Sequence, residues 1–181
     1  GAVGVVLVAC VMVVVPGLGA RQAVVQIDGD DIGGVVTGPN RYLIGQLRAG
    51  KIDLMVGRMP QPEDMPGLSF DYLYDEPILL VGRAGHPAAA DPAPRALARH
   101  PVILPNPGAI IRQTVDRYLA AQGLAGLVPA FETVALPVAL GLLERSDLLW
   151  FISRGVVERE LQRGTLVALD LRSDYMAGAV G

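Results

Sequence analysis

The chain has 181 residues, of which 51% are hydrophobic and only 5% aromatic, and its formal net charge is −3 at pH 7. This length suits one domain or two small ones with a substantial buried core. The charge argues against a nucleic-acid-binding surface, which depends on clustered Lys and Arg. One cysteine and two histidines exclude an intrachain disulfide and leave little for a metal site. Neither a metal nor another cofactor is expected.

The opening of the chain is strongly apolar, and Arg21 is the first charged residue. The apolar run ends at Pro16, so it is shorter than the roughly 20 residues that span a bilayer. No basic segment precedes it, as a signal peptide requires. We interpret the stretch as the first strand and helix of a soluble core, with a signal-peptide remnant and a membrane anchor as the alternatives.

Residues 35–56 show a strand, a helix and a second strand in succession. Asn40 stands where a helix N-cap is expected, because its side-chain oxygen can accept a backbone N–H of the first turn. Leu43 and Leu47 share one helical face, and Gly50 supplies the C-terminal stop. The segment therefore predicts a parallel βαβ unit with a right-handed crossover.

The remainder of the chain alternates short apolar segments with helical ones, which predicts an α/β protein with a mostly parallel sheet covered on both faces. Residues 68–74 alternate apolar and polar side chains, as a half-buried strand does. Pro137 lies in the first turn of a predicted helix, where proline is tolerated. Strands are expected at 68–74, 77–82, 101–105, 128–133, 147–153 and 165–171, and helices at 109–122, 135–146 and 156–163.

Two loop-rich breaks, near 82–92 and 153–155, interrupt this alternation. They favour two small sheets that share hinge strands over one large sheet.

Three short segments then follow a recognisable order. They are Gly-Lys-Ile-Asp-Leu at 50–54, Glu-Pro-Ile-Leu-Leu-Val at 76–81 and Gly-His-Pro at 85–87. Their order and spacing resemble the effector-binding domain of LysR-type transcriptional regulators, nearest to the branch that includes the protocatechuate-pathway regulator. The resemblance extends over 35–181, most of the chain.

This resemblance implies an α/β fold of two Rossmann-like lobes joined by two hinge crossovers, as in type 2 periplasmic binding proteins. Lobe I would comprise 1–81 and 155–181, and lobe II would comprise 82–154. A small carboxylate effector is expected in the cleft between lobes. Such regulators reach DNA through an N-terminal winged helix-turn-helix that is not present in this chain. They self-associate as dimers or tetramers in the cytoplasm, without a membrane partner.

The candidate effector contacts lie at four junctions where a predicted strand passes into a predicted helix. Helix N-termini favour anions, and Arg154 offers a fork of donors suited to a carboxylate. Arg154 could instead bridge the lobes or be a surface charge, and each of the other contacts has a plainer role in a turn or cap. The candidates are Thr37 and Asn40, then Asn106, Gly108 and Ile110, then Thr133, and finally Ser153 and Arg154.

Arg112 is a second basic candidate in the first turn of its predicted helix. A cation there opposes the helix dipole, so a partner is expected, either the effector or an acidic side chain.

The sequence departs from the family between Val5 and Gly34. The family usually places a Ser or Thr after the first strand, in contact with the effector, whereas this chain has Val8 and Ala9. The lobe I wall of the effector site is therefore expected to be unusually apolar.

The preferred function is the sensing domain of a bacterial LysR-type regulator that binds an aromatic acid or a muconate-type compound. A periplasmic solute-binding protein of the same fold is the alternative. An enzyme is not expected, because the sequence shows no nucleophile–base pairing, P-loop or dinucleotide fingerprint.

Overall fold

The structure, a computed structural model, describes residues 4–7, 34–36 and 38–181. Three sequence-based predictions lie outside this part. They are Thr37 as an effector contact, the missing hydroxyl at Val8 and Ala9, and the helix expected after the first strand.

The chain forms two compact units. Unit 1 comprises Gly1–Asp75 and Ala179–Gly181, and unit 2 comprises Glu76–Gly178. The predicted lobes, 1–81 with 155–181 and 82–154, stay a prediction.

Unit 1 contains a three-stranded parallel sheet. Strand β1 (Gly4–Leu7) lies between β2 (Gly34–Val35) and β3 (Leu54–Val56). Helix α1 (Asn40–Arg48) connects β2 to β3. The parallel βαβ unit is thus confirmed, with β1 inserted between its two strands, and the handedness of its crossover stays a prediction.

The apolar face of α1 packs as its spacing predicts. Leu43 and Ile52 are buried together, and Leu47 and Met55 pack against them. Gly50 follows the helix with φ +63°, a left-handed conformation that confirms its role as the stop.

The N-cap role predicted for Asn40 is wrong. The helix begins at Asn40 itself, and the extended residue before it, Pro39, is the N-cap. The Asn40 amide Nδ2 instead donates to the backbone oxygen of Arg58 at 3.0 Å. Its side chain therefore ties the start of α1 to the segment after β3, rather than capping the helix.

The second sheet has six strands in the order β6-β5-β7-β4-β8, with β9 paired to β4. Strands β6, β5 and β7 are parallel, whereas β4 is antiparallel to both β7 and β8. The mostly parallel sheet of the prediction is thus a mixed one, because β4 is not entered through a strand–helix–strand crossover. The strands are β4 (Tyr74–Arg83), β5 (Val102–Leu104), β6 (Phe131–Glu132), β7 (Leu149–Ser153), β8 (Leu166–Leu169) and β9 (Ala177–Val180).

The predicted helices of unit 2 are confirmed. Those expected at 109–122 and 135–146 start later and end earlier, whereas the one expected at 156–163 starts two residues earlier, at Arg154, and ends at Gln162. Gly123 and Gly164 follow two of them with φ near +70°, as helix stops do. Pro137 lies in the first turn of its helix, as predicted. The helices are α2 (Ala93–Leu97), α3 (Arg112–Ala121), α4 (Leu136–Leu143) and α5 (Arg154–Gln162).

Two strand predictions fail near the ends of the sheet. Residues 68–73 are not a strand; the Leu68 N–H instead closes a turn onto the Met65 oxygen at 3.0 Å. Strand β9 is absent from the prediction because its Ala and Gly residues have weak β propensity. Pairing with the rest of the fold, including Leu73 N–H to the Val180 oxygen at 2.8 Å, supplies what its own residues lack.

The core of unit 2 is centred on β7, all five residues of which are buried. Such a strand has both faces covered. Tyr118 of α3 packs edge-on against Phe151 at 5.9 Å between ring centroids, and its hydroxyl donates to the Leu171 oxygen at 3.1 Å. Burial, with smaller effects from Tyr175 and Asp170, raises the pKa of Tyr118 to about 12.

Candidate functional site

Three strand-to-helix junctions of unit 2 open at one edge of its sheet. Strand β5 pairs in parallel with both β6 and β7, so the carboxyl ends of all three strands meet there. Helices α3, α4 and α5 follow these strands. Open α/β sheets bind their ligands outside such carboxyl ends. We call residues 105–112, 132–135 and 153–155 the strand-end edge.

The loop after β5 offers backbone donors. Gly108 has φ +91°, a conformation that requires glycine, and nothing lies within 4 Å of where a Cβ would stand. The Ala109 N–H donates to the Asn106 oxygen at 2.9 Å. The N–H of Ile110 has no hydrogen-bond partner among the described residues. Of these two amides, only that of Ile110 is available to a ligand.

Arg112 is held at the edge by three hydrogen bonds. Its Nη1 donates to Glu132 Oε1 and to the Pro105 oxygen, both at 2.7 Å, and its Nε donates to Asp116 Oδ1 at 2.8 Å. Only 19% of the side chain is exposed. Burial acts to lower the pKa of Arg112, but the bonds to Glu132 and Asp116 outweigh it and raise the pKa. The expected partner is confirmed, and it is a pair of carboxylates. We call these four residues the Arg112 corner.

Asn106 and Thr133 connect the loops after β5 and β6. Asn106 Nδ2 donates to the Glu132 backbone oxygen at 3.2 Å, and Thr133 Oγ1 accepts the Ala135 N–H at 3.0 Å. The Thr133 oxygen also accepts the indole N–H of Trp150 at 3.0 Å. Thr133 thus closes a turn just before α4, whose N-cap is Ala135, and its hydroxyl hydrogen can still be donated. Its contact with the effector stays a prediction.

The third junction follows β7. Ser153 is fully buried and is the N-cap residue of α5, in an extended conformation. The side chain of the next residue, Arg154, is 52% exposed, and its Nε donates to Glu158 Oε2 at 2.8 Å. This bond holds the pKa of Glu158 below its ordinary value, against the opposing effect of burial. We call Ser153, Arg154, Gly155 and Glu158 the Arg154 corner.

Glu76 completes this corner, and the sequence analysis did not identify it. Its buried carboxylate accepts the Gly155 N–H at 2.6 Å, in the first turn of α5. A Cβ on Gly155 would stand 3.1 Å from Glu76 Oε1, so glycine permits this approach. The sequence could have indicated its burial, because Glu76 is two residues before Ile78 and four before Leu80, and alternate residues of a strand lie on the same face. That face of β4 is buried.

Asn40 belongs to unit 1, apart from the other described candidates. Unit 1 also contains a small, open pocket lined mainly by apolar side chains of α1, β3 and residues 65–70. None of the predicted effector contacts that the structure describes lines this pocket.

Among the described residues, no helix is long and apolar enough to cross a membrane. Within the same residues, no group of three or more His, Cys, Asp or Glu side chains could hold a metal ion.

Parallel strand ends, the open amide of Ile110 and an accessible arginine at one edge are typical of an α/β domain of the kind that binds small molecules. The chain belongs to the LysR substrate binding domain family, whose model matches residues 34–180. The resemblance drawn from the sequence is thereby confirmed, and the family favours a transcription regulator over a periplasmic solute-binding protein.

Curated relatives are transcription regulators. The HTH-type transcriptional regulator PcaQ of Agrobacterium fabrum is 38% identical over 149 residues, which are 81% of this chain and 48% of that protein. The uncharacterized HTH-type transcriptional regulator YdcI of Escherichia coli is 32% identical over 136 residues, 75% of this chain and 44% of that protein. The chain therefore spans about half the length of these relatives.

Solved regulatory domains share the fold. The CcmR regulatory domain of Synechocystis PCC6803, in complex with 2-PG, gives a TM-score of 0.67 at 15% identity, over 83% of this chain and 72% of that one. The reduced regulatory domain of OxyR2 from Vibrio vulnificus gives a TM-score of 0.65 at 15% identity, over 82% of this chain and 70% of that one. These likenesses confirm the predicted α/β fold class of LysR regulatory domains.

Proposed function

We propose that this chain is the ligand-sensing part of a LysR-type regulator and that its effector is a small carboxylate, either an aromatic acid or a muconate-type compound. The carboxylate binds at the strand-end edge of unit 2. The observation that carries this proposal is the state of Arg154. It stands at a buried strand's end, half exposed, and its Nε donates to a carboxylate of its own helix.

A carboxylate at this edge finds complementary donors. Arg154 supplies a charged fork, and the open N–H of Ile110 supplies a backbone donor. Thr133 can donate its hydroxyl hydrogen, since its oxygen already accepts the Ala135 N–H. The empty space beside Gly108 lets a ligand approach the backbone closely. The lobe I contacts Asn40 and Thr37, and the cleft between lobes, stay predictions.

Effector binding acts by differential affinity for two states of the regulator, so no bond is made or broken. DNA is reached through an N-terminal winged helix-turn-helix, and the regulator works in the cytoplasm. Self-association as a dimer or tetramer could use the exposed apolar side chains Val138 of α4, which buries only Ala139 and Leu143, and Phe131 of edge strand β6.

Calorimetric titration with aromatic acids and muconates tests the proposal. Arg154→Ala should weaken the best ligand by about tenfold or more, the worth of a charged hydrogen bond. Arg159→Ala is the matched control, because it removes an exposed arginine from the last turn of the same helix. Unchanged affinity in Arg154→Ala would overturn the anchor role. Salt-dependent DNA binding by this chain alone would also count against the proposal.

A further inference from the structure

The two arginines of the strand-end edge differ in what they can give to a ligand. Each donates to at least one carboxylate, but the bonds differ in number, burial and origin. This difference bears on how many negative charges the effector can carry, and so it rests on the proposed function of the same site.

Most of the hydrogen-bond donors of Arg112 are already occupied. Three of its five N–H donors are used, on acceptors from the loop after β5, from α3 and from β6. A ligand carboxylate could displace Glu132 only by breaking its charged bond to Arg112, whose side chain is only 19% exposed. Glu132 and Asp116 reach solvent, with 36% and 53% of their side chains exposed, but the guanidinium that they share does so far less, and a charge that loses a partner away from solvent is costly.

Arg154 can exchange its partner. Its bond joins residues one helical turn apart on the surface, and pairs of this kind stabilise a helix only slightly. The Arg154 side chain is 52% exposed, against 19% for Arg112, so solvent can surround both Arg154 and Glu158 while a ligand takes the place of Glu158. The edge therefore has one arginine able to receive one carboxylate.

A second ligand carboxylate would meet negative groups instead. Glu132 faces the edge from the end of β6, and Glu76 occupies the Gly155 N–H in the first turn of α5. Like charges brought together at an interface suppress the wrong partner. We propose that Glu132, by occupying Arg112, excludes a second carboxylate, so that the effector carries a single negative charge.

This inference selects the aromatic monoacid over the dianionic muconate from the proposed class. Glu132 is then a specificity-determining residue that acts through Arg112 and through its own charge, without donating to the ligand.

Matched ligand pairs test it. Terephthalate and muconate are each compared with their monomethyl esters, which keep the shape of the diacid and remove one charge. Calorimetry on the wild-type chain should show each monoester binding about tenfold tighter than its diacid. In Glu132→Gln, which keeps an acceptor for Arg112, the diacids should gain about tenfold while the monoesters stay within about twofold.

Controls separate charge at this site from charge in general. Glu144→Gln removes one exposed carboxylate at the end of α4 and should leave both affinities unchanged. Where Glu132→Gln does not fold, Asp116→Asn removes the other carboxylate on Arg112. It should likewise raise the affinity for the diacids relative to the monoesters.

The outcomes are distinct. Wild-type binding of a diacid as tightly as its monoester, or an unchanged ratio in Glu132→Gln, overturns this inference and leaves the proposed function standing. Absence of binding by monoacids and diacids alike, in every variant, overturns the proposed function and this inference with it.

Discussion

The Arg112 corner and the Arg154 corner present the same guanidinium group at one edge of one sheet, in opposite states. Arg112 is largely buried and bonded to Glu132 and Asp116 on separate elements. Arg154 is half exposed and bonded to Glu158 of its own helix. The number and origin of the partners, rather than the residue type, decide which arginine is structural and which is available to a ligand.

Alkaline pH should have the largest effect on stability, and that effect should come from α3, the helix of the Arg112 corner. Helix α3 begins at Arg112 and is anchored by buried Tyr118, whose pKa of about 12 lies above its ordinary 10.0. The unfolded chain therefore loses this proton first, and stability falls as pH rises from 10 to 12, by about 2–3 kcal/mol. Urea unfolding across this range should show the loss, and Tyr118→Phe should remove most of it. Tyr175→Phe, an exposed control, should keep most of it.

Removal of each arginine's charge should follow next in size. Arg112→Met keeps the stem but removes two charged bonds and the bond to the Pro105 oxygen, and because both carboxylates remain partly solvated we expect a loss of about 1–2 kcal/mol in unfolding free energy. Arg154→Met, the matched variant, should lose less than about 0.5 kcal/mol. Chemical denaturation at neutral pH measures both. Equal losses would remove the distinction between the corners.

A backbone change tests the loop that carries the open amide. Gly108→Ala forces a side chain into φ +91° and should cost about 1 kcal/mol without any steric clash. Gly126→Ala, also in open space but without a positive φ, should be close to neutral. Thermal unfolding of the two variants compares them directly, and a neutral Gly108→Ala would show that this conformation is not required.

The smallest effect concerns the exposed pair. Arg154→Ala should raise the pKa of Glu158 toward its ordinary value, because the hydrogen bond that lowers it is lost. The lowered pKa gives a small stabilising contribution that is present above the unfolded pKa and is lost as pH falls through the folded one. Carboxyl NMR titration measures the change, and an unmoved Glu158 would mean that the pair does not form in solution.

Much of the fold could be predicted because short-range physics dictates it. Leu43 and Leu47 mark the buried face of α1, and Gly50 its stop, since helical spacing and left-handed glycine act locally. The strand predicted over residues 68–73 was wrong because alternation of apolar and polar residues cannot show whether a neighbouring strand is available for pairing. Strand β9 was omitted for the converse reason, because its pairing with β4 supplies what its own sequence lacks.

The candidate site could be predicted only in part. Strand-to-helix junctions are visible in sequence, so Gly108, Thr133 and Arg154 could be selected as candidates. Asp116 as a partner of Arg112 follows from i,i+4 helical spacing, whereas Glu132 could not be predicted, because it lies 20 residues away on strand β6. Glu76 was overlooked although its period with the buried face of β4 pointed inward.

One measurement tests the central claim most directly, that the effector carboxylate binds at the strand-end edge while Arg112 stays occupied. It is a titration of the ¹⁵N-labelled chain with the best-binding monoacid, followed by ¹H–¹⁵N spectra. We predict that the Ile110 amide moves downfield as it donates to the carboxylate and that the Arg154 Nε–H changes position as the ligand replaces Glu158, while the Arg112 Nε–H stays in place. Shifts confined to the unit 1 pocket, at Met55 and Leu68 for example, would contradict the account.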